Sequence, residues 1–551
     1  MTAPESAGTP EPDAPVESPL PSGGTTHLAD GEWHRLHPAT PLLRGGLALV
    51  AIAGILIANL RERLVELLLP GFDWCRGDDC PDVPGGDPIS YLIDEGYLLI
   101  GLAAALGVVL VIVAFFYVSW RMHTFRITDE VVEVRSGVLF RTHRKARLDR
   151  IQGVSINRPL FARLFGAARL EVEVAGQDAN VQLAYLGNAL SDGLRADILR
   201  LASGARAEAA GAPAPGAAAA GSLIDRRVQE LLAPELDPNL APPESVVRIP
   251  ATRLIASSVL SVSAIFLVVA AGAAIMILVL GSTVAEGFYW TLFSLIPMVL
   301  GFGSYLVNRV LKFLRYSIAA TPDGVRIGYG LLSTRNETLP PGRIHSVSVS
   351  QPLLWRPFDW WTIRVNRASR TSTGDGSQQA QQASVVLPVG TRADAFRVLG
   401  LVLPELVAAP SADETEAPAH ADVLERGLAG RDSDADFTTS PRRAAVFRWF
   451  SWRRNGFALV PAAVLLRRGA IWRELAIVPT PRVQSVAIEQ GPLARSLRLA
   501  GVVVHTVAGP VSTHVGALDA TDAERLFRDA AGAAVAAAAN DRTHRWRAGE
   551  A

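Results

Sequence analysis

The sequence predicts a mixed fold: four transmembrane α-helices in two hairpins, plus three copies of a small β-barrel, each closed by a C-terminal helix. Three observations predict it. Apolar residues make up 49% of the 551-residue chain and charged residues only 19%. That is fewer charges than the quarter usual in soluble domains, and the apolar excess is gathered into four uncharged stretches. A seven-residue motif recurs three times in one register, and the segments around the apolar stretches alternate between acidic and basic.

In chain order, residues 1–32 are a Pro-, Gly-, Ser- and Thr-rich tail without periodicity, expected to be disordered. The first hairpin occupies 41–120. Its helices are the stretch between Arg44 and Arg61, lengthened by Pro41, Leu42 and Leu43, and the stretch from Gly96 to Trp120. A spanning helix needs about 20 apolar residues. The loop 61–95 between them has a net charge of −6. The second hairpin, 246–308, holds the stretches Leu254–Ala285 and Gly287–Asn308. Arg121, Arg126, Arg309, Lys312 and Arg315 follow the second and fourth stretches, and basic flanks of this kind stay cytoplasmic. The expected location is therefore the plasma membrane, with the loop 61–95 outside and both termini inside. Apart from Arg44, which snorkels near the start of the lengthened first span, no Asp, Glu, Lys, Arg or His lies within the four spans, which argues against an ion-coupled carrier.

The repeat is Arg150-Ile-Gln-Gly-Val-Ser-Ile156, Arg343-Ile-His-Ser-Val-Ser-Val349 and Arg482-Val-Gln-Ser-Val-Ala-Ile488, at spacings of 193 and 139 residues. Thirteen residues upstream stand Gly137, Gly330 and Gly469; thirteen downstream stand Arg163, Arg356 and Arg495. Val132 and Val134, then Val154 and Ile156, alternate with polar residues at the period of a half-buried strand. Helical patterns close each copy, starting at Ser191-Asp192, Thr391 and Thr521-Asp522. The modules so defined are 121–203, 309–405 and 441–540. Linkers of 204–245 and 408–440, the second acidic and expected to be disordered, separate them, and a tail of 541–551 ends the chain.

The motif R-[IV]-[QH]-[GS]-V-[SA]-[IV], followed in the third copy by Gly491-Pro492-Leu493-Ala494-Arg495, resembles the bacterial pleckstrin-homology-like (PH-like) domain of the second type. The resemblance implies PH-like barrels that commonly follow a transmembrane hairpin. Matching lead-ins precede the hairpins, Arg35-Leu-His-Pro38-Ala-Thr40 and Arg248-Ile-Pro250-Ala-Thr252. The third copy has a lead-in at Ser440-Pro441-Arg442-Arg443, but Ala444–Trp452 is too short to span and is expected to be missing a hairpin or to lie on the surface.

No GxSxG, Walker A or HExxH pattern occurs. No catalytic, cofactor-binding or metal-binding residue is assigned, and a non-enzymatic scaffold displaying three cytoplasmic modules, in envelope homeostasis or defence, is expected. The rival class is a transport or export component with the helices as conduit; a membrane enzyme is a third. Zero net charge, from 53 basic and 53 acidic residues, excludes a generally basic nucleic-acid binder. The modules alone carry +4 over 121–201, +7 over 309–403 and +7 over 442–540, and each basic residue at an anionic leaflet contributes about 1 kcal/mol. Expected partners are lipids of the anionic inner leaflet, held weakly, and other membrane proteins, a one-hairpin PH-like relative among them. Two repeat-equivalent sets, Arg150, Arg343 and Arg482, then Arg163, Arg356 and Arg495, either bind headgroups or acidic peptides or fix strand ends. Trp355, Trp360 and Trp361 are either core fillers or a membrane or partner edge. Cys75 and Cys80 are a candidate disulfide within the external loop.

Overall fold

The computed structural model describes residues 28, 30–38, 40, 98–137, 141–175, 180–202, 246–281, 285–321, 324–340, 342–368, 384–407, 420–429 and 436–540. The first apolar stretch, the loop 61–95 with Cys75 and Cys80, and the linker 204–245 lie outside them.

Each copy is built from seven strands and a closing helix. Module one has β1 (His34–Arg35), α1 (Leu98–Arg121), β2 (Thr124–Ile127), β3 (Val131–Ser136), β4 (Thr142–Arg147), β5 (Ile151–Arg158), α2 (Leu160–Leu164), β6 (Ala167–Val174), β7 (Val181–Gly187) and α3 (Asn188–Ala202). Module two has β8 (Val247–Arg248), α4 (Ala251–Val259), α5 (Val262–Gly281), α6 (Ala285–Phe313), β9 (Ser317–Thr321), β10 (Gly324–Tyr329), β11 (Thr334–Leu339), β12 (Ile344–Gln351), β13 (Trp360–Arg367), β14 (Val385–Thr391), α7 (Arg392–Val402) and α8 (Pro404–Val407). After α9 (His420–Ala429), module three has β15 (Thr438–Thr439), α10 (Ala445–Arg448), β16 (Gly456–Val460), β17 (Ala463–Arg468), β18 (Arg473–Pro479), β19 (Ser485–Glu489), α11 (Pro492–Ser496), β20 (Leu499–His505), β21 (His514–Asp519) and α12 (Ala520–Asn540).

The lead-ins are strands of the modules they precede. His34 pairs with Phe125, Val247 with Ile318 and Thr438 with Phe457, all antiparallel. Module boundaries at 121, 309 and 441 are therefore too late: each module begins upstream, and the apolar segment is inserted between its first and second strands. The Trp120 indole closes this arrangement in module one by donating to the Leu36 carbonyl at 3.0 Å. In module three the insertion shrinks to a short 3-10 turn, Arg442–Ala444, and the single turn of α10.

The repeated glycine has a backbone cause. Gly330 and Gly469 turn β10 into β11 and β17 into β18 at φ of 115° and 78°. A Cβ at either position would overlap the carbonyl oxygen of Ser333 or Trp472, so only glycine fits. The closing helices start in three different ways. Thr391 caps α7 in a capping box with Asp394. In module one the helix begins earlier than the predicted Ser191, at Asn188, and the Ser191 hydroxyl donates back to the Asn188 carbonyl at 2.7 Å. In module three the first turn is held by Asp519, which accepts from the Thr521 backbone N–H at 3.1 Å.

Separate barrels are the expectation that the structure corrects. Strand order in the two largest sheets is β7-β6-β5-β11-β10-β9-β8 and β14-β13-β12-β18-β17-β16-β15. Each seven-stranded sheet thus joins the second half of one module to the first half of the next. The two half-sheets left over, β1-β2-β3-β4 and β19-β20-β21, stand at the ends of the array. The strand motif is apolar or small on both faces, and Val154, Ser155 and Ile156 are all buried; a strand of that kind belongs in the interior of a sheet.

Two further expectations change. The stretch Leu254–Ala285 is not one helix: α4 and α5 meet at a bend of 47°. Ser257 and Ser258 both turn their hydroxyls onto the Leu254 carbonyl, at 2.8 and 2.9 Å, and Ser261 caps α5 by accepting from the Ala264 N–H at 3.3 Å. Such hydroxyls compete with the helix ladder and bend it. α4 packs on module two instead, with Leu254 in its core and Arg253 2.9 Å from Asp394. Over the residues whose side chains are described, no single helix is long and apolar enough to cross a membrane; the bent pair Ala251–Val259 with Val262–Ala273 is, by length and composition. The acidic linker 408–440 is also partly ordered. Val423, Leu424 and Leu428 of α9 and Phe437 are buried in the core of module two, because the acidic residues there alternate with apolar side chains that form one helix face.

Candidate functional site

The functional features lie where modules meet. At the first junction β11 runs antiparallel to β5 through five pairs, from Thr334 with Arg158 to Thr338 with Val154. At the second, β18 runs against β12 through five pairs, from Arg473 with Gln351 to Ile477 with Val347. Allowing for the repeat spacing, the two registers are identical: Val154 is equivalent to Val347, and Thr338 to Ile477.

The repeated arginines work at these junctions. Arg163, on α2, donates from Nη1 to the Leu331 carbonyl of module two at 2.9 Å. Its equivalent Arg356 donates from Nη2 to the Ala470 carbonyl, the position equivalent to Leu331, and to Ile471 at 2.9 Å. Each arginine therefore clasps the glycine turn of the following module. The other set reaches backwards: Arg343 donates from Nη2 to the Asp149 carbonyl of module one at 3.0 Å. Arg482 lies near His345, whose pKa is lowered first by burial and then by the charges of Arg482 and Arg343. At the two ends the pattern stops. The side chains of Arg150 and Arg495 are exposed and have no hydrogen-bond or ion-pair partner among the described residues.

The first junction also holds a buried ion cluster. Glu173 on β6 is 3.2 Å from both Arg335 on β11 and Arg367 on β13; Arg335 is 3.8 Å from Glu337, and Arg367 also pairs with Glu337. Burial works against the charge of Arg367, but Glu337 and Glu173 outweigh it and hold its pKa above the ordinary arginine value. Among the described residues the second junction has no such cluster at this place. Asn366 replaces Glu173 and bonds instead to the loop of module three, donating to the Val511 carbonyl and accepting from its N–H, each at 2.8 Å.

Apolar side chains crowd the outer rim of each junction. Leu160, Phe161, Leu164 and Phe165 are exposed on module one, Leu353, Leu354 and Phe358 at the equivalent place on module two, and Leu493 on module three. Phe161 is 67% and Leu493 71% exposed. The clasped turns add exposed Leu331 and Leu332, then Ile471 and Trp472. Leu331 is tied to the last turns of α6: its N–H donates to the Leu311 carbonyl at 3.2 Å, and that of Gly330 to Leu314 at 2.8 Å. The rim at the first junction therefore lies beside the C-terminal end of α6.

The tryptophans divide. Trp355 and Trp361 are each only 3% exposed and fill the core of module two, while Trp360 is half-buried and stacks on the exposed Phe358 at 4.7 Å. Sequence reading missed Leu353, Leu354 and Phe358, which interleave with those tryptophans. The absence of any polar residue but Arg356 between Gln351 and Asp359 was the available signal. In module three a cleft of about 660 Å³ opens between α10 and β20, lined by Phe447, Arg448, Trp449, Glu489 and His514 among others. Among the described residues no group of three or more His, Cys, Asp or Glu side chains is placed to hold a metal ion.

Comparison with known proteins matches these features to one family. The model for the bacterial PH domain matches residues 79–202, 258–405 and 437–534. The first two matches include the helix or helices that precede the main sheet, and the third begins at the lead-in strand. The UPF0699 transmembrane protein YdbT of Bacillus subtilis is 33% identical over 75 residues, which cover 13% of this chain and 15% of that protein. No solved structure matches the chain. Three matched segments, each holding the main strands of one unit and reaching into its closing helix, make this chain a member of the bacterial PH domain family with three copies in tandem.

Proposed function

We propose that the chain is a non-enzymatic, multi-pass membrane protein whose four apolar segments hold three PH-like modules against the inner leaflet as a platform for other membrane proteins. The observation that carries this reading is the apolar rim of the first junction, which lies beside the C-terminal end of α6 and is repeated at the second junction. Exposed Leu, Phe and Trp side chains beside a helix terminus, with arginines interleaved, suit the interfacial zone of a bilayer. The helices agree: apolar side chains of α1 and α5 are open on several sides, with Val268 70% exposed, and a helix apolar all round needs a nonaqueous surrounding. In module three, α10 takes the place of the hairpin. Val446, Phe447, Trp449 and Phe450 are exposed there, Trp449 to 72%, and Arg442, Arg443 and Arg453 flank them. That composition suits a segment lying in the interface rather than spanning it.

The test is topology in intact cells. With Cys75 and Cys80 replaced by Ser, a membrane-impermeant maleimide should label single cysteines placed in the loop 61–95 and none placed at 411–436. Labelling of the linker from outside would overturn the arrangement.

A further inference from the structure

The array has two unfinished ends. β5 and β12 are each paired on both sides, by β6 and β11 and by β13 and β18. Among the described residues their equivalent in module three, β19, is paired only by β20. Its residues are exposed or half-buried where those of β5 are buried, and Ile488 is 38% exposed. At the opposite end β4 is the equivalent of β11 and β18, yet among the described residues it is paired only by β3, and it is exposed along most of its length. The edge that β19 offers is thus the one to which β11 and β18 dock inside the chain, and β4 is the strand that has no such edge to dock on.

We infer that β19 of one molecule receives β4 of a second copy, repeating between chains the junction that occurs twice within each chain. The register follows from the two internal ladders: Val486 opposite Lys145, Ala487 opposite Arg144 and Ile488 opposite His143. Charge favours the pairing, because β19 contributes Glu489 and β4 contributes Arg144, Lys145 and Arg147. The unpartnered arginines favour it as well. Arg495 occupies the position from which Arg163 and Arg356 clasp the next module, and Arg150 the position from which Arg343 reaches back. An incoming copy would present Arg150 to the carbonyl of Pro481, the residue equivalent to Asp149. The contact uses different surfaces on the two molecules, so it propagates head to tail into a ring or a filament. An exposed, unprotected strand edge is a ready template for such addition. This inference does not depend on the membrane reading.

The experiment uses the full chain in detergent micelles, with Cys75→Ser and Cys80→Ser as background. Two single-cysteine variants, Ala487→Cys and Arg144→Cys, are oxidised separately and mixed. The expected result is a disulfide-linked dimer from the mixture and none from either variant alone. The variant carrying both changes should give a ladder of multiples. Ser348→Cys with Ala476→Cys, opposed in the same register at the internal junction, is the control and should close within one chain. Arg495→Glu, at an exposed side chain, should lower the mixed yield about tenfold, the loss of one charge-assisted hydrogen bond. No dimer from the mixture while the control closes would overturn the inference. So would a dimer formed by one variant alone, or a β19 crosslink only to a different protein with a single PH-like module.

Discussion

The guanidinium of Arg367 sits 3.2 Å from the carboxylate of Glu173, although the two residues belong to different modules. Glu173 comes from the second half of module one. Arg335 and Glu337 come from the first half of module two, and Arg367 from its second half. Two arginines and two glutamates compensate one another in a place from which water is largely removed.

Removing one member strands the others, so Glu173→Ala should destabilise the first junction by about 3–5 kcal/mol. The exposed pair Arg147 with Asp149, at 3.1 Å, should contribute at most about 1 kcal/mol. Thermal unfolding of the full chain with each substitution checks the contrast. Equal small losses would mean that the cluster is hydrated and not coupled.

Glycine at the repeated turn offers a second test. Gly330→Ala places a methyl group against the Ser333 carbonyl at a φ that alanine avoids, and should cost more than about 1 kcal/mol. Gly272→Ala in α5 meets nothing within 4 Å and should be neutral or stabilising by up to about 1 kcal/mol. Unfolding midpoints of the two variants decide it.

These two cases mark how far the sequence could be read. The repeat, the turn glycines, the clasping arginines and the three closing helices follow from residues at fixed spacing. Alternation reveals which face of a strand is buried, but it does not say which strand lies beside it. β11, Thr334–Leu339, is polar in sequence and buried in the structure because it forms the centre of a shared sheet. No local pattern encodes that neighbour. Likewise Leu254 reads as the start of a span, and only the serines after it, bonded back to its carbonyl, show why the helix breaks there.

A third prediction concerns pH. Burial, with Arg482 and Arg343 nearby, pushes the His345 imidazole down to about 4 from an ordinary value of 6.5. The unfolded chain takes up this proton below pH 6.5 while the native chain refuses it until about 4. Stability should therefore fall as pH drops through that window and be unaffected by this group above it. His345→Asn should remove that share of the acid sensitivity. Unfolding midpoints of the two proteins, compared from neutral pH down through the window, would diverge only within it; parallel curves would show that His345 titrates normally.

The last prediction separates core from rim within one short segment. Trp355 and Phe358 lie three residues apart, yet Trp355 is buried in module two and Phe358 is exposed. Trp355→Ala should destabilise the fold by about 3–5 kcal/mol, as a cavity in place of a buried aromatic does. Phe358→Cys should leave the unfolding midpoint nearly unchanged, because the side chain it removes is more than half exposed. If the rim rests in the bilayer interface, a fluorophore on the thiol introduced by Phe358→Cys should be quenched by brominated lipid in a reconstituted bilayer. The same fluorophore on Arg364→Cys, which replaces an exposed residue six positions further along on β13, should not be quenched. Quenching at both positions would place the whole module in the membrane surface. Quenching at neither would detach the rim from lipid and leave it as a surface for protein, since exposed apolar side chains on this scale mark a contact of one kind or the other.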